Sequence, residues 1–228
     1  MISLFKKWFN AQRSKNQNND WNDLNVVWIH GANQTGLSFQ YLRSITKFRS
    51  ELIVEYDTEK KFYDNLEVLS NEINQLDGPY FIVGHSLGGL YALHLTKYLD
   101  IAGAVSISTP FAGSWTADWA RFFIPTYQLF KDVGRRSTPI KDSKNIEINF
   151  NWTQIISTKG SVPYHGGAND GVCTIKSMRS RKDMELIEVP YSHFEVMCSD
   201  AVADIILKRY YSVLEVKNFN GGVILNYK

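Results

Sequence analysis

The stretch Phe81-Ile-Val-Gly-His-Ser-Leu-Gly-Gly-Leu90 constrains this chain more than any other. An apolar run ends in Gly84-His85-Ser86-Leu87-Gly88, and helix-like residues, Leu90 to Leu99, follow at once. A strand that gives way to a helix within so few residues must turn sharply. The turn brings the residues two before and two after Ser86 so close together that a Cβ at either place would meet backbone, hence the glycines. The serine hydroxyl is pushed clear of the main chain. The next helix aims its free N–H groups and the positive end of its dipole at charge developing beside it. By chance G-x-S-x-G arises in about one chain in thirteen of this length. The pattern therefore counts only with a strand before it and a helix behind it, and both are present.

With 228 residues, 44 % of them apolar and 14 % aromatic, the chain can bury one sizeable core but hardly two. A formal charge of +2 without a strongly basic block gives no reason to invoke nucleic acid. Cys173 and Cys198 lack C-x-x-C spacing, so no disulfide framework is expected and a reducing, cytoplasmic setting fits. No run of 18 or more apolar residues is present, which argues against an ordinary membrane-spanning helix.

Alternating strand-like and helical runs mark an α/β domain with a largely parallel sheet. Leu24 to His30, Glu51 to Tyr56, Tyr80 to Gly84, Ile101 to Ser108, part of Ile146 to Ser157, and Met184 to Val189 read as strands. Phe62 to Leu76 and Ala201 to Leu214 carry helical apolar spacing. Residues 1–22 form an N-terminal segment and polar tether, 23–214 the domain, and 215–228 a tail with Gly221-Gly222 as a turn. Within the domain, residues 111–144 break the alternation just past the strand that follows the elbow. They are read as a cap over the C-terminal edge of the sheet, where ligands bind in open α/β folds.

A serine hydroxyl is a poor nucleophile until a base takes its proton, and the base needs an orienting carboxylate. Of the histidines after Ser86, His94 lies two turns into the following helix and reads as structural. His165 precedes the acids in its region. His193 sits in the loop between the last strand and the closing helix, where a base can reach back over the sheet edge. Asp170, in the tight loop Gly166-Gly-Ala-Asn-Asp-Gly-Val172 and 23 residues before His193, is the chosen acid. Asp118, after the preceding strand, is its rival, since Asn-Asp-Gly makes turns anywhere. Acyl transfer also needs two preorganised N–H donors for the oxyanion. These are expected from Leu87, next to the nucleophile, and from Ala32, in Trp28-Ile-His-Gly-Ala-Asn33 after the first core strand. Asn33 could add a side-chain donor or cap the next helix.

Together, His30-Gly31, Gly84-His-Ser-Leu-Gly88, Ser108-Thr-Pro110, Asn169-Asp-Gly-Val172 and Ser192-His193 make the chain resemble an α/β-hydrolase of the lipase and esterase kind, similar to small bacterial lipases. The likeness spans residues 24 to 214. It implies the α/β-hydrolase fold, a mostly parallel twisted sheet flanked by helices, and a serine hydrolase cleaving an acyl ester. One such triad also serves acyl thioesterases, amidases and acyltransferases. A binding module that kept only the fold would be expected to have lost Ser86, Asp170 or His193, and all three are present.

In the cap, Trp115, Trp119, Phe122 and Phe123 fall at i, i+4, i+7 and i+8 on one helix face. They are expected to line an acyl groove, the alternative being plain core beneath the cap. Six basic against three acidic residues in 111–144 could favour an anionic lipid or head group, or simply form a solvated face. The substrate is accordingly expected to be a small-molecule ester or a lipid. The segment Met1 to Phe9 would carry Ile2, Phe5, Trp8 and Phe9 opposite Lys6 and Lys7 if helical, a pattern that fits reversible contact with the inner membrane surface or an ordinary terminus. Lysines interrupt it too early for a secretory signal. No zinc spacing and no phosphate-binding loop is legible, so no metal or cofactor is implied.

Overall fold

A computed structural model of the protein describes residues 24–163 and 167–220. Six strands form one sheet: β1 (Asn25–Ile29), β2 (Glu51–Val54), β3 (Tyr80–His85), β4 (Ile101–Ile107), β5 (Asn151–Ser157) and β6 (Glu185–Val189). The order is β2-β1-β3-β4-β5-β6 and every neighbouring pair is parallel. Most of these strands are apolar on both faces, as parallel strands covered by helices on both sides must be. In β1 the period of two sends Val27 and Ile29 to one core and Val26 and Trp28 to the other.

The first core is closed by α2 (Phe62–Ile73) and α3 (Leu87–Leu95), through Phe62, Leu66, Leu69 and Ile73 and through Leu87 and Leu90. The second is closed by α1 (Gln40–Thr46) and by α8 (Asp200–Asn220), through Leu42, Val202, Ile206 and Tyr210. The connection from β2 to β3 passes back across β1, so the direction in which strands are added to the sheet reverses between β1 and β3. A crevice opens there at the carboxyl edge, and the loops after these two strands carry Ala32 and Ser86.

Differences from the sequence reading lie at element ends. The closing helix does not stop at Leu214 but runs to Asn220, so residues 215–220, expected as tail, continue α8. Only the second half of 146–157 is strand. The helix expected after Asn33, given no bounds from the sequence, is α1, reached through a short turn at Gly36–Phe39. The insertion after β4 folds into three short helices, α4 (Trp115–Phe123), α5 (Gln128–Val133) and α6 (Thr138–Ser143). A further short helix, α7 (Ile175–Met178), follows the Asp170 loop. The segment 1–22 with its expected membrane contact, His165, and the turn at Gly221-Gly222 lie outside the described residues. Among the described residues no helix is long and apolar enough to cross a membrane.

Candidate active site

Ser86 caps the N-terminus of α3 with φ 52° and ψ −117°. A non-glycine residue in the left-handed region costs on the order of 1–3 kcal/mol unless its surroundings over-determine it. Here they do. A Cβ on Gly88 would lie 2.0 Å from the Ile29 carbonyl oxygen, and one on Gly84 would lie 2.7 Å from the Gly88 backbone. The Ser86 N–H donates to the Ile107 carbonyl at 2.8 Å. Helix α3 is thus pressed against the end of β1, and the serine is lifted to the sheet edge.

The loop after β1 faces the elbow. A Cβ on Gly31 would stand 3.2 Å from the Ser86 Cβ. Ala32 borders the same cavity as Ser86 and Leu87. Among the described residues neither the Ala32 nor the Leu87 N–H is taken up by another protein group, which leaves two donors beside the serine. Asn33 is turned elsewhere: its Nδ2 donates to the Tyr127 hydroxyl, and Thr35, not Asn33, caps the turn that follows. His30 is fully buried, stacked on Tyr56.

His193 and Asp170 are both buried and hydrogen-bonded, Nδ1 to Oδ2, at 2.7 Å, and the His193 N–H donates to the Asp170 carbonyl. The Asp170 carboxylate also accepts from Ser157 Oγ at 2.5 Å and from the Val172 and Cys173 amides at 3.0 and 2.7 Å. Burial works to raise this carboxyl, but the bonds from His193, Ser157 and the Cys173 amide outweigh it and hold it below the usual carboxylate range. The rival Asp118 sits on α4 and pairs with Arg135 at 2.7 Å. The His193 ring lies beside that of His85, the residue before Ser86, with centroids 4.9 Å apart. Among the described residues Ser86 makes no hydrogen bond with His193. Cys173 brings its sulfur within 4.8 Å of the Asp170 and His193 ligand atoms; burial, then the Asp170 charge, pushes its thiol pKa well up. His94, buried against α6 through the Pro139 carbonyl at 3.0 Å, is structural.

The cavity holding Ser86 has a volume of about 380 Å³. Its walls come from the elbow (Leu87, Leu90), from the insertion after β4 (Ala117, Ala120, Phe130) and from Val172 in the Asp170 loop. The chain's match to a family model covers residues 26–145, more than half its length, and the family is described as the alpha/beta hydrolase family. The chain belongs to that family. No curated protein sequence matches it. Solved structures with the same fold include the ydeN gene product from B. subtilis, 21 % identical over 83 % of this chain and 99 % of that one, TM-score 0.56. They include Paleococcus ferrophilus monoacylglycerol lipase, 13 % identical over 84 % and 94 %, TM-score 0.57. A haloalkane dehalogenase variant from Bradyrhizobium elkanii is 10 % identical over 87 % and 92 %, TM-score 0.62.

In this α/β-hydrolase the four aromatic residues expected to line an acyl groove do not line the cavity. Trp119 and Phe123 are 55 % and 80 % exposed, and Phe122 is exposed as well. Trp115, also exposed, borders a separate surface pocket with Arg135 and Lys176. The face of α4 turned toward Ser86 is its small one, Ala117 and Ala120. Periodicity identifies a face but not its direction, and bulky rings inside would fill the space. Sequence reasoning also passed over Gln34, His85 and Ser157. Gln34 Oε1 accepts from the Gly31 N–H at 3.1 Å and faces His85 Nδ1 at 3.0 Å. The one available signal was position: His85 precedes the nucleophile and Ser157 ends a strand.

Proposed function

We propose that this protein is a serine hydrolase cleaving a carboxylic ester with an apolar acyl group, by way of an acyl-enzyme. The observation that carries the reading is a serine at positive φ lining an apolar cavity, together with a buried carboxylate-bonded imidazole whose ring packs on His85, the residue before that serine. Asp170 holds the Nδ1–H of His193, which leaves Nε2 as the proton acceptor. As Ser86 Oγ attacks the acyl carbon, its proton passes to His193 Nε2, and the carbonyl oxygen becomes an oxyanion bound by the Ala32 and Leu87 amides. Collapse breaks the ester bond, and His193 gives its proton to the departing alcohol. Water then attacks the acyl-serine by the same route, releasing the acid and restoring Ser86.

The test is labelling with a fluorophosphonate together with a panel of aryl esters, acyl-CoA and aryl amides. Labelling confined to Ser86 and fastest turnover of esters are expected. Labelling that persists in Ser86→Ala removes the serine mechanism. Preference for acyl-CoA or amide keeps the triad and moves the protein to the thioesterase or amidase reading. Product formation only with an added alcohol acceptor moves it to acyl transfer.

A further inference from the structure

The acid of the proposed triad is held by a buried chain of two serines. Ser157, the last residue of β5, donates its hydroxyl proton to Asp170 Oδ2 at 2.5 Å, the same oxygen that accepts His193 Nδ1–H. Ser108, the residue after β4, has its hydroxyl 2.6 Å from that of Ser157. A carboxylate accepts only, and a serine has one proton to give. With the Ser157 proton committed to Asp170, Ser108 is the donor in the serine pair, so the chain runs Ser108 to Ser157 to Asp170. Both serines are fully buried. Ser108 has φ 54°, and its N–H donates to the Ile155 carbonyl at 2.8 Å. The Met178 sulfur, 3.8 Å from Ser157, is a weak competing acceptor.

We propose that Ser157, supported by Ser108, is a positioning residue for the orienting acid; the proposal rests on the serine-hydrolase reading above. With Val172 and Cys173 amides on Oδ1 and Ser157 and His193 on Oδ2, the carboxylate accepts four bonds and has no second orientation of equal satisfaction. Consecutive donors polarise one another, so Ser108 strengthens the bond Ser157 gives. The hydroxyl does more than orient. It withdraws charge from the oxygen that faces the imidazole and makes Asp170 a weaker base toward imidazolium. The other titratable groups facing this carboxylate are Cys173, whose thiol burial keeps neutral, and His85, kept neutral by burial and the neighbouring His193 with a pKa lowered to about 3. Neither group adds a titration near neutrality to the pH profile of kcat/KM.

The experiment compares Ser157→Ala, Ser157→Thr and Ser108→Gly with wild type on one aryl ester, recording kcat, KM, the pH profile of kcat/KM and fluorophosphonate labelling. Ser108→Gly removes the hydroxyl where the backbone favours glycine, so strain does not confuse the result. In Ser157→Ala we expect kcat to fall roughly ten- to a hundredfold with KM little changed. The acid limb is expected to move to higher pH by about half to one unit, because the freed carboxylate favours imidazolium. Ser157→Thr should restore the limb, and Ser108→Gly should move it the same way by less. If Ser157→Ala does not fold, the Ser108→Gly limb decides alone: a shift supports the proposal and no shift overturns it. A folded Ser157→Ala that is only less heat-stable, with kcat and limb unchanged while Ser86 still labels, overturns this proposal and leaves the hydrolase reading intact. Failure of wild type to label at Ser86 overturns both.

Discussion

The ring of His85, the residue before Ser86, sits 3.0 Å by its Nε2 from the backbone carbonyl of His193. Its Nδ1 lies 3.0 Å from Gln34 Oε1, which in turn holds the Gly31 N–H. A neutral imidazole has one N–H to give, so this buried ring donates to one of the two acceptors and packs against the other, between the turn of Ser86, the loop of His193 and the loop of Gly31 and Ala32. These loops follow β3, β6 and β1, and β6 lies at the far edge of the sheet from them. Something has to fix their spacing at the carboxyl edge, and His85 does so without facing the cavity.

That burial makes stability depend on pH. Desolvation, then the neighbouring His193, lowers the His85 pKa from about 6.5 to about 3. Below about 6.5 the unfolded chain binds a proton that the folded state refuses until about 3, so the contribution is full above 6.5 and is lost as pH falls through that window. His94, lowered to about 4 mainly by burial, acts in the same direction. Asp132, raised to about 6 by burial, acts oppositely between about 4 and 6, but one carboxyl against two imidazoles leaves the net direction unchanged. The urea midpoint is expected to fall between pH 7 and pH 4, with a loss on the order of 2–4 kcal/mol. His85→Gln should flatten part of that slope, and an equal slope in the variant would count against the assignment.

The choice of acid has a direct comparison. Asp170→Asn is expected to cut kcat at least about a hundredfold, because the imidazole loses the partner that fixes its tautomer. Asp118→Asn breaks a pair with a half-exposed arginine on the cap and should leave kcat within a few-fold. Ser86→Ala and His193→Ala should each lose at least about a thousandfold, and the double variant little more than either. Reversal of the two aspartates in steady-state assays would move the acid to the cap.

Strands and elbow were legible because each depends on local chemistry: runs of Val, Ile and Phe, and glycines where a Cβ cannot stand. The pairing of Asp170 with His193 was legible from chain order, since the fold dictates which loops meet. Direction around a helix was not. The spacing of Trp115, Trp119 and Phe123 marks a stripe, but whether the stripe faces the cavity depends on what the rest of the cap packs against. The serines at 108 and 157 were invisible for a similar reason. Nothing local distinguishes a strand-end serine that ends in water from one that ends on a buried carboxylate 13 residues away.

Membrane contact is a separate expectation, carried by Ile2, Phe5, Trp8 and Phe9 opposite Lys6 and Lys7. Such a short segment binds weakly unless anionic lipid assists. The full chain should co-sediment with anionic vesicles more than a chain beginning at Trp21, and less so at high salt. Equal co-sedimentation of the two would end the idea.

Acyl-chain selection should follow the small face of α4. The cavity beside Ser86 offers about 380 Å³ between Leu90 of the elbow helix and Phe130 of the cap. Each methylene buried there contributes up to about 0.8 kcal/mol. On that basis kcat/KM is expected to climb over several carbons and then level off when the space is filled. Ala117 and Ala120 are the side chains whose enlargement takes volume directly from the acyl group. Ala120→Phe should therefore move the optimum to shorter chains while sparing acetyl esters. Trp119→Ala and Phe123→Ala, which remove rings that face away from the cavity, should leave the shape of the profile unchanged on dissolved substrates. The measurement is kcat/KM for p-nitrophenyl esters from acetate to laurate in all four proteins. A wild-type profile that peaks at acetate and falls steeply would contradict acyl binding in this cavity. A profile flattened by Trp119→Ala but not shortened by Ala120→Phe would return selection to the aromatic stripe.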